Sequence, residues 1–268
     1  MDALETLRSG DVLGALDALK QDVRKAPRDP RLRTFLFQMF CITAEWERAL
    51  TQLTAAAELD PLALPMAQTY RAAIRCEMLR ESVFRGERSP TVLGDPGPWL
   101  PMLIEAARLL ASGKPDDAAR LRDTAFEAAE ETGGAINDTP FAWIADADPR
   151  LGPILEIFLN GNYMWVPFTR LKALRLDPPA DLRDQVWMPA NFTWSNDGEN
   201  VGFIPTRYPG SANAKDPALA MSRRTDWYDA DGGWSLPLGQ RVLVTDVEET
   251  ALMDIRSLAI APALASTS

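Results

Sequence analysis

Shifted by 34 residues, the first part of this chain falls on itself. Gly10 lands on Ala44, Ala15 on Ala49, Leu16 on Leu50, Leu19 on Leu53 and Pro27 on Pro61. A repeat of this length is one pair of helices. Such a pair cannot bury its apolar stripe alone, so it must stack on neighbours, and the small residues at Ala15 and Ala49 let the paired helices approach closely.

The pattern of small and apolar positions, closed by a proline, is that of a tetratricopeptide repeat. Trp46 sits where that repeat carries an aromatic residue. Gly113 and Ala118 repeat the Gly10/Ala15 spacing three periods and one residue later. The unit beginning near Leu64 keeps a first helix through about Arg85. It then dissolves into Arg88-Ser89-Pro90 and Gly94-Asp95-Pro96-Gly97-Pro98, a loop by its proline and glycine content. A stack of this kind presents a concave face that holds an extended or helical peptide. In the usual register Arg31, Thr34, Gln38, Gln68 and Arg75 point into that groove; the plainer alternative is that the helices only scaffold the second half of the chain. Cys41 and Cys76 lie among apolar helical neighbours and read as small core residues.

Thr132-Gly133-Gly134-Ala135-Ile136-Asn137-Asp138 breaks the helical pattern with turn formers. The expected division is a helical domain over 1–134 and an α+β domain over 135–268. Asp148-Pro149 reads as the start of a short helix running to about Asn160, with Leu151, Ile154, Leu155 and Phe158 as its buried stripe. Strands are expected over 186–194 and 201–208, joined by the turn Asn196-Asp197-Gly198. Further strands are expected over 224–228 and 241–244, separated by Asp231-Gly232-Gly233. Periodicity does not decide between strand and helix for 252–260. Pro167, Pro189 and Pro205 can sit only at strand edges, ends or bulges. The fold class is therefore α+β: an α-hairpin solenoid, then a small, mostly antiparallel sheet rolled towards an open barrel.

Composition narrows function. The net charge of −10 disfavours nucleic acid and anionic membrane surfaces, which need a basic field. Histidine is absent, which removes Ser-His-Asp and Cys-His catalysis and every histidine-dependent metal site. Two cysteines make no disulfide framework and point to a reducing compartment. The start Met1-Asp2-Ala3-Leu4-Glu5 lacks the basic region of a signal peptide, and no run approaches the roughly 20 apolar residues of a membrane span. A cytoplasmic location is expected. Neither GxxxxGK[ST] nor GxGxxG occurs before a helix, and no cofactor or metal is implied.

Chemistry-bearing residues concentrate in the second half. Arg183, Arg207, Arg224 and Arg241 lie near Asp184, Asp226 and Asp246, with Trp187, Tyr208 and Trp227 offering aromatic faces. A guanidinium pairs with carboxylates through two bonds and stacks on rings. Two readings are open: an ion-pair and cation–π lattice holding an irregular sheet together, which is favoured, or a site for an anion or acidic peptide. The carboxylate pairs Asp181/Asp184, Asp229/Asp231 and Glu248/Glu249 sit in loop-like or acidic stretches and read as solvated surface rather than as an acid/base pair.

Taken in order, Trp165-Val166-Pro167-Phe168, Leu182-Arg183-Asp184, Thr206-Arg207-Tyr208, Arg224-Thr225-Asp226-Trp227 and Gly239-Gln240-Arg241 belong to no common catalytic motif. As a set they resemble the ImpE family, also called TagJ or SciE, and the resemblance covers nearly the whole chain. It implies an α-hairpin solenoid followed by an α+β domain, and a non-enzymatic accessory role in type VI secretion. It also implies a partner, the small subunit of the contractile sheath, engaged through a helical segment, and a link to the ClpV-type AAA+ ATPase. The residues carrying it are Trp165, Arg183, Asp184, Trp187, Arg207, Tyr208, Arg224, Trp227, Gln240 and Arg241. A solenoid-type assembly chaperone for another complex is the alternative.

Overall fold

The computed structural model describes residues 2–94 and 97–261. Asp95 and Pro96 of the expected loop, and residues 262–268 of the expected second domain, lie outside them. The helical part comprises α1 (Ala3–Arg8), α2 (Val12–Lys25), α3 (Pro30–Ile42), α4 (Trp46–Leu59), α5 (Leu64–Phe84), α6 (Trp99–Ala111) and α7 (Pro115–Ala128), with a two-residue strand β1 (Thr91–Val92) between α5 and α6. Aspartates start several of these helices. The Asp11 carboxylate accepts from the Gly14 N–H at 2.8 Å, and Asp29 accepts from Arg31 N–H at 2.8 Å ahead of Pro30. Each fills a donor the first turn cannot satisfy internally.

Three helix ends share one backbone geometry. Gly10, Ala44 and Gly113 take φ of 97°, 55° and 74°. After each, the next N–H closes back on a carbonyl five residues earlier: Asp11 on Thr6, Glu45 on Phe40, Lys114 on Leu109. This is the left-handed stop that ends a helix and turns the chain into the next one. At Ala44 an alanine holds a conformation that glycine adopts freely, at a cost of about 1 kcal/mol. Ala15, Ala49 and Ala118 are fully buried at the helix crossings.

The rest of the chain is mostly strand: β2 (Gly134–Ile136), β3 (Thr139–Phe141), β4 (Ile144–Asp146), β5 (Ile154–Leu159), β6 (Asn162–Pro167), β7 (Leu171–Arg175), β8 (Trp187–Trp194), β9 (Glu199–Pro205), the short α8 (Pro217–Ala220), β10 (Thr225–Ala230), β11 (Trp234–Gly239), β12 (Val242–Thr245), β13 (Glu249–Ala251) and β14 (Ser257–Ile260). Nine strands form one sheet in the order β1-β6-β5-β9-β8-β7-β14-β2-β3; β10-β11 and β13-β12-β4 form smaller ones. Among the described residues every strand pairing is antiparallel except β1 with β6. The end strands β1 and β3 do not meet, so the expected barrel is not closed and the sheet stays open. β1 comes from the expected loop, so the helical part itself supplies one edge of the sheet.

The expected helix over 148–160 is instead a turn followed by β5. Asp148 does cap, but it caps a turn: its carboxylate accepts from the Arg150 N–H at 2.9 Å. All six residues of β5 are buried because both faces of the strand are covered. Ile154 and Phe158 join the core shared with the helices, while Leu155, Ile157 and Leu159 join a second core inside the sheet. A strand covered on both faces shows a continuous apolar run, which periodicity cannot separate from a buried helix. The glycine Gly239 ends β11 at φ 90°, where a Cβ would stand 2.0 Å from the Arg224 carbonyl oxygen. The prolines lie where a missing N–H is tolerated: Pro167 and Pro205 end their strands, and Pro189 lies past the end of the β7 pairing.

Candidate functional site

β5 turns Ile154, Glu156 and Phe158 towards the helices, so one carboxylate is carried into the interface between helical part and sheet. Glu156 is fully buried. Arg80 of α5 grips it through two parallel bonds, Nε to Oε1 and Nη2 to Oε2, each 2.8 Å. The third nitrogen of Arg80, Nη1, donates to Glu77 one turn back at 2.8 Å. The Tyr163 hydroxyl donates to Glu156 Oε1 at 2.5 Å and receives the Trp165 indole N–H at 2.6 Å. Trp187 of β8 closes the other end by donating to Glu77 Oε2 at 2.9 Å.

A second buried arginine meets the same carboxylate from the sheet side. Arg241, immediately before β12, bonds Glu156 through Nη2 and Asp146 of β4 through Nη1, and its Nε donates to the Pro205 carbonyl at 2.9 Å. Asp148 and Arg150 continue the chain of charges, with Nε to Oδ1 at 2.8 Å and the Arg150 guanidinium 4.6 Å from the Phe84 ring. Tyr208 braces Arg241 from 5.3 Å and bonds both ways with the Val242 backbone. Burial pushes Glu156 up, but Arg80, Arg241 and the Tyr163 hydroxyl outweigh it and hold the carboxyl at about 2. Burial pushes Asp146 up to about 6 in spite of Arg241. Burial would lower Arg80 and Arg241, yet the neighbouring carboxylates hold both above the ordinary arginine range.

Arg207 takes another role. Its guanidinium reaches the C-terminus of α3, where Nη2 donates to Cys41 O and Nη1 to Ile42 O, both at 2.7 Å, and Nη1 also donates to Ala220 O at 2.7 Å. The last carbonyls of a helix have no partner within it and carry its negative end, so a cation there satisfies both needs. Burial lowers Arg207 to about 10, which leaves it charged at neutral pH. Its own carbonyl accepts from Arg80 Nη2 at 3.1 Å, joining the two arginine clusters. Tyr70 of α5 packs at a tilt between Trp187 at 5.9 Å and Phe203 at 5.5 Å, and Arg183 lies 4.5 Å over its ring.

The remaining expected residues divide. Trp165, Trp187, Tyr208 and Arg241 are fully buried in this seam, and Gln240 holds it by bonding Ser222 O and Met253 N–H at 2.8 and 2.9 Å. Asp184 and Asp181 are not a solvated pair: Asp184 is buried, and the two form a reciprocal cap around a single turn, with Arg183 on Asp181. Arg224 and Trp227 stand apart from the lattice expected to include them. Trp227 is 43% exposed on the β10–β11 hairpin, and Arg224 pairs with Asp216 and Asp226 in solvent. Of the expected groove residues, Gln38 donates to Asp181 at 3.2 Å across the seam, and the Thr34 hydroxyl donates to Pro30 O within its own helix. Arg31, Gln68 and Arg75 are exposed.

No site role is expected from sequence for Glu77, Arg80, Asp146, Asp148, Arg150, Glu156 or Tyr163. One signal existed: Glu77 and Arg80 continue the stripe of Tyr70, Ala73 and Ile74 along α5, where charge is out of place unless paired. Their partners lie 76 to 127 residues away, beyond any local pattern. Surface clefts of about 350, 200 and 280 Å3 are lined by residues other than Glu156, Arg80, Arg207 and Arg241. The charged groups of the seam are buried and bond to one another. Cys41 and Cys76 are buried thiols raised above their ordinary range by burial, Cys76 to about 12. Among the described residues no cluster of His, Cys, Asp and Glu could hold a metal ion, and no helix is long and apolar enough to cross a membrane.

Helices first, an open sheet second and a sealed ionic seam between them define a two-part α+β protein. The family model described as ImpE protein matches residues 138–259. The type VI secretion system accessory component TagJ of Pseudomonas aeruginosa is 46% identical over 262 residues, which is 98% of this chain and 92% of that protein. The crystal structure of protein VPA1032 from Vibrio parahaemolyticus superposes with a TM-score of 0.88 at 27% identity, covering 97% of each chain. The chain belongs to the ImpE/TagJ family.

Proposed function

We propose that this protein is a non-enzymatic, cytoplasmic accessory component of a type VI secretion system. It binds a helical segment of the small sheath subunit and is linked to the ClpV-type ATPase. The observation that carries this reading is the 46% identity along 98% of the chain to an accessory component of that system. The site geometry supports the non-enzymatic part, because the densest charge cluster is buried and bonded internally. In the tetratricopeptide-like reading a helix would lie on the inner faces of α3 and α5, but Gln38, Tyr70, Glu77 and Arg80 there are engaged by the sheet. The cleft of about 280 Å3 between α5 and the β5–β6 turn is the better seat. Ala72, Cys76, Phe158 and Phe203 line it, Val201 stands 70% exposed at its rim, and Gln68 and Arg75 flank it on α5. Apolar anchors at i, i+3 and i+4 of a docked helix would fill such a cleft. The net charge of −10 favours a helix with basic residues and an association that weakens with salt.

Recovery of partners by the full chain, immobilised and exposed to a lysate of the native host, tests the role. The small sheath subunit should be enriched. Its absence, with other partners recovered, would favour the assembly-chaperone reading. Ala72→Arg, which places a long charged side chain in the cleft, should weaken titration of the purified sheath subunit by about tenfold or more. Unchanged affinity would move the contact elsewhere.

A further inference from the structure

On the other side of the helical part, α2 and α4 form the banks of a groove of about 350 Å3 whose floor is α3. Leu36 and Phe40, one turn apart, face this groove, whereas Gln38, which meets the sheet domain, points to the opposite side of the same helix. Lys20 and Arg24 stand on the α2 bank and Arg48 on the α4 bank, and no carboxylate lines the groove, although the whole chain carries −10. The three cations are held loosely or not at all. Lys20 pairs at 3.0 Å with Asp17, which is 72% exposed, and Arg48 pairs with Glu45 one turn back. Arg24 makes no ion pair among the described residues. Pairs this exposed are easily exchanged for a better-placed anion.

Two contacts preset the groove. The Arg48 guanidinium lies 4.2 Å from the Phe40 ring centre, which keeps it over the floor. Arg33 donates through Nη1 to Gln52 Oε1 at 2.7 Å and is itself anchored on Pro27 O at 3.0 Å. With its oxygen engaged, Gln52 is left with amide N–H donors for a ligand. We propose that this groove docks an acidic segment of a partner protein, with carboxylates between the α2 and α4 cations and the Gln52 amide. A small phosphate ligand suits the site less well. Phosphate cradles use free backbone N–H groups at helix starts, whereas this groove meets α2 and α4 along their sides. Recognition of acidic motifs by clustered basic side chains is an established mode. The proposal goes beyond the sheath reading, since it concerns another face and a partner of opposite charge.

The test is fluorescence anisotropy on the full chain with a labelled amphipathic helical peptide whose polar face is glutamate only. A lysine-faced counterpart serves as control and inorganic pyrophosphate as competitor. The glutamate peptide should bind, more weakly in high salt, and the lysine peptide should not. Arg24→Glu with Arg48→Glu should weaken binding by about tenfold or more while the variant stays folded, its melting temperature lowered only slightly by loss of the Arg48 contacts with Glu45 and Phe40. Should that variant fold poorly, Arg24→Gln with Arg48→Gln should show a smaller loss in the same direction. Failure of the glutamate peptide to bind, unchanged binding by a folded variant, or displacement by equimolar pyrophosphate would overturn the proposal. Titration of the sheath subunit on the charge-reversed variant separates the two readings. Retained sheath binding is expected; loss of both ligands would put the sheath helix in this groove and overturn an acidic partner.

Discussion

Glu156→Gln should lower the melting temperature by about 10 °C. Removing one partner of a buried charged pair costs about 3–5 kcal/mol, because the charge left behind stays desolvated. Here two arginines, Arg80 and Arg241, would share that loss. An independent route gives a similar size. Glu156 is held at about 2 against an ordinary value of 4.5. At about 1.4 kcal/mol per pH unit, that lowering contributes about 3 kcal/mol. The sign follows from the lowered folded-state value. The contribution is fully present above pH 4.5 and is lost as pH falls towards 2. The stability gap between parent and variant should therefore be wide at neutral pH and should close across that acid window. Urea unfolding of both proteins at stepped pH measures it, and a gap that stays constant with pH would show that the carboxylate charge is not what stabilises the seam.

Arg207→Ala should destabilise by a comparable amount, about 3–5 kcal/mol. The variant strips donors from Cys41 O, Ile42 O and Ala220 O, and it opens space where a buried guanidinium stood. Each buried acceptor left unpaired costs about 1–3 kcal/mol. Arg207→Lys keeps the charge but not the planar fork, so it cannot bridge both helix ends and should fall between parent and alanine. Thermal melts followed at a helix wavelength and by tryptophan fluorescence report it. A variant that melts like the parent yet fails to bind sheath subunit would turn this arginine from a brace into part of a binding site.

The legible parts of the fold were the locally determined ones. The Asn196-Asp197-Gly198 turn, with Asp197 at φ 64°, announces the β8–β9 hairpin because few sequences tolerate that backbone. Gly10 and Gly113 mark helix stops for the same reason. β1 escaped notice because two residues carry no periodicity. β11 carries little strand signal because Pro237 lies within it and Gly239 ends it. Within the seam, the motif blocks point to Arg207 and Arg241 as lattice members but give Glu156 no role, since its significance depends on α5 lying against β5. The same nonlocal packing covers Gln38, which helical register alone assigns to an open groove. Arg224 and Trp227 share the composition of the buried blocks, and only the hairpin's outward position separates them.

The helical part and the sheet domain should unfold as one cooperative body, joined by the Glu156 seam and a core that runs from Phe37 and Tyr70 to Trp165 and Trp187. Differential scanning calorimetry of the full chain tests this most directly, because a single cooperative unit gives a calorimetric enthalpy equal to the van't Hoff enthalpy. One transition with matching enthalpies is expected, shifted downward as a whole in Glu156→Gln. Two resolved transitions, with only one of them moved by the substitution, would contradict it.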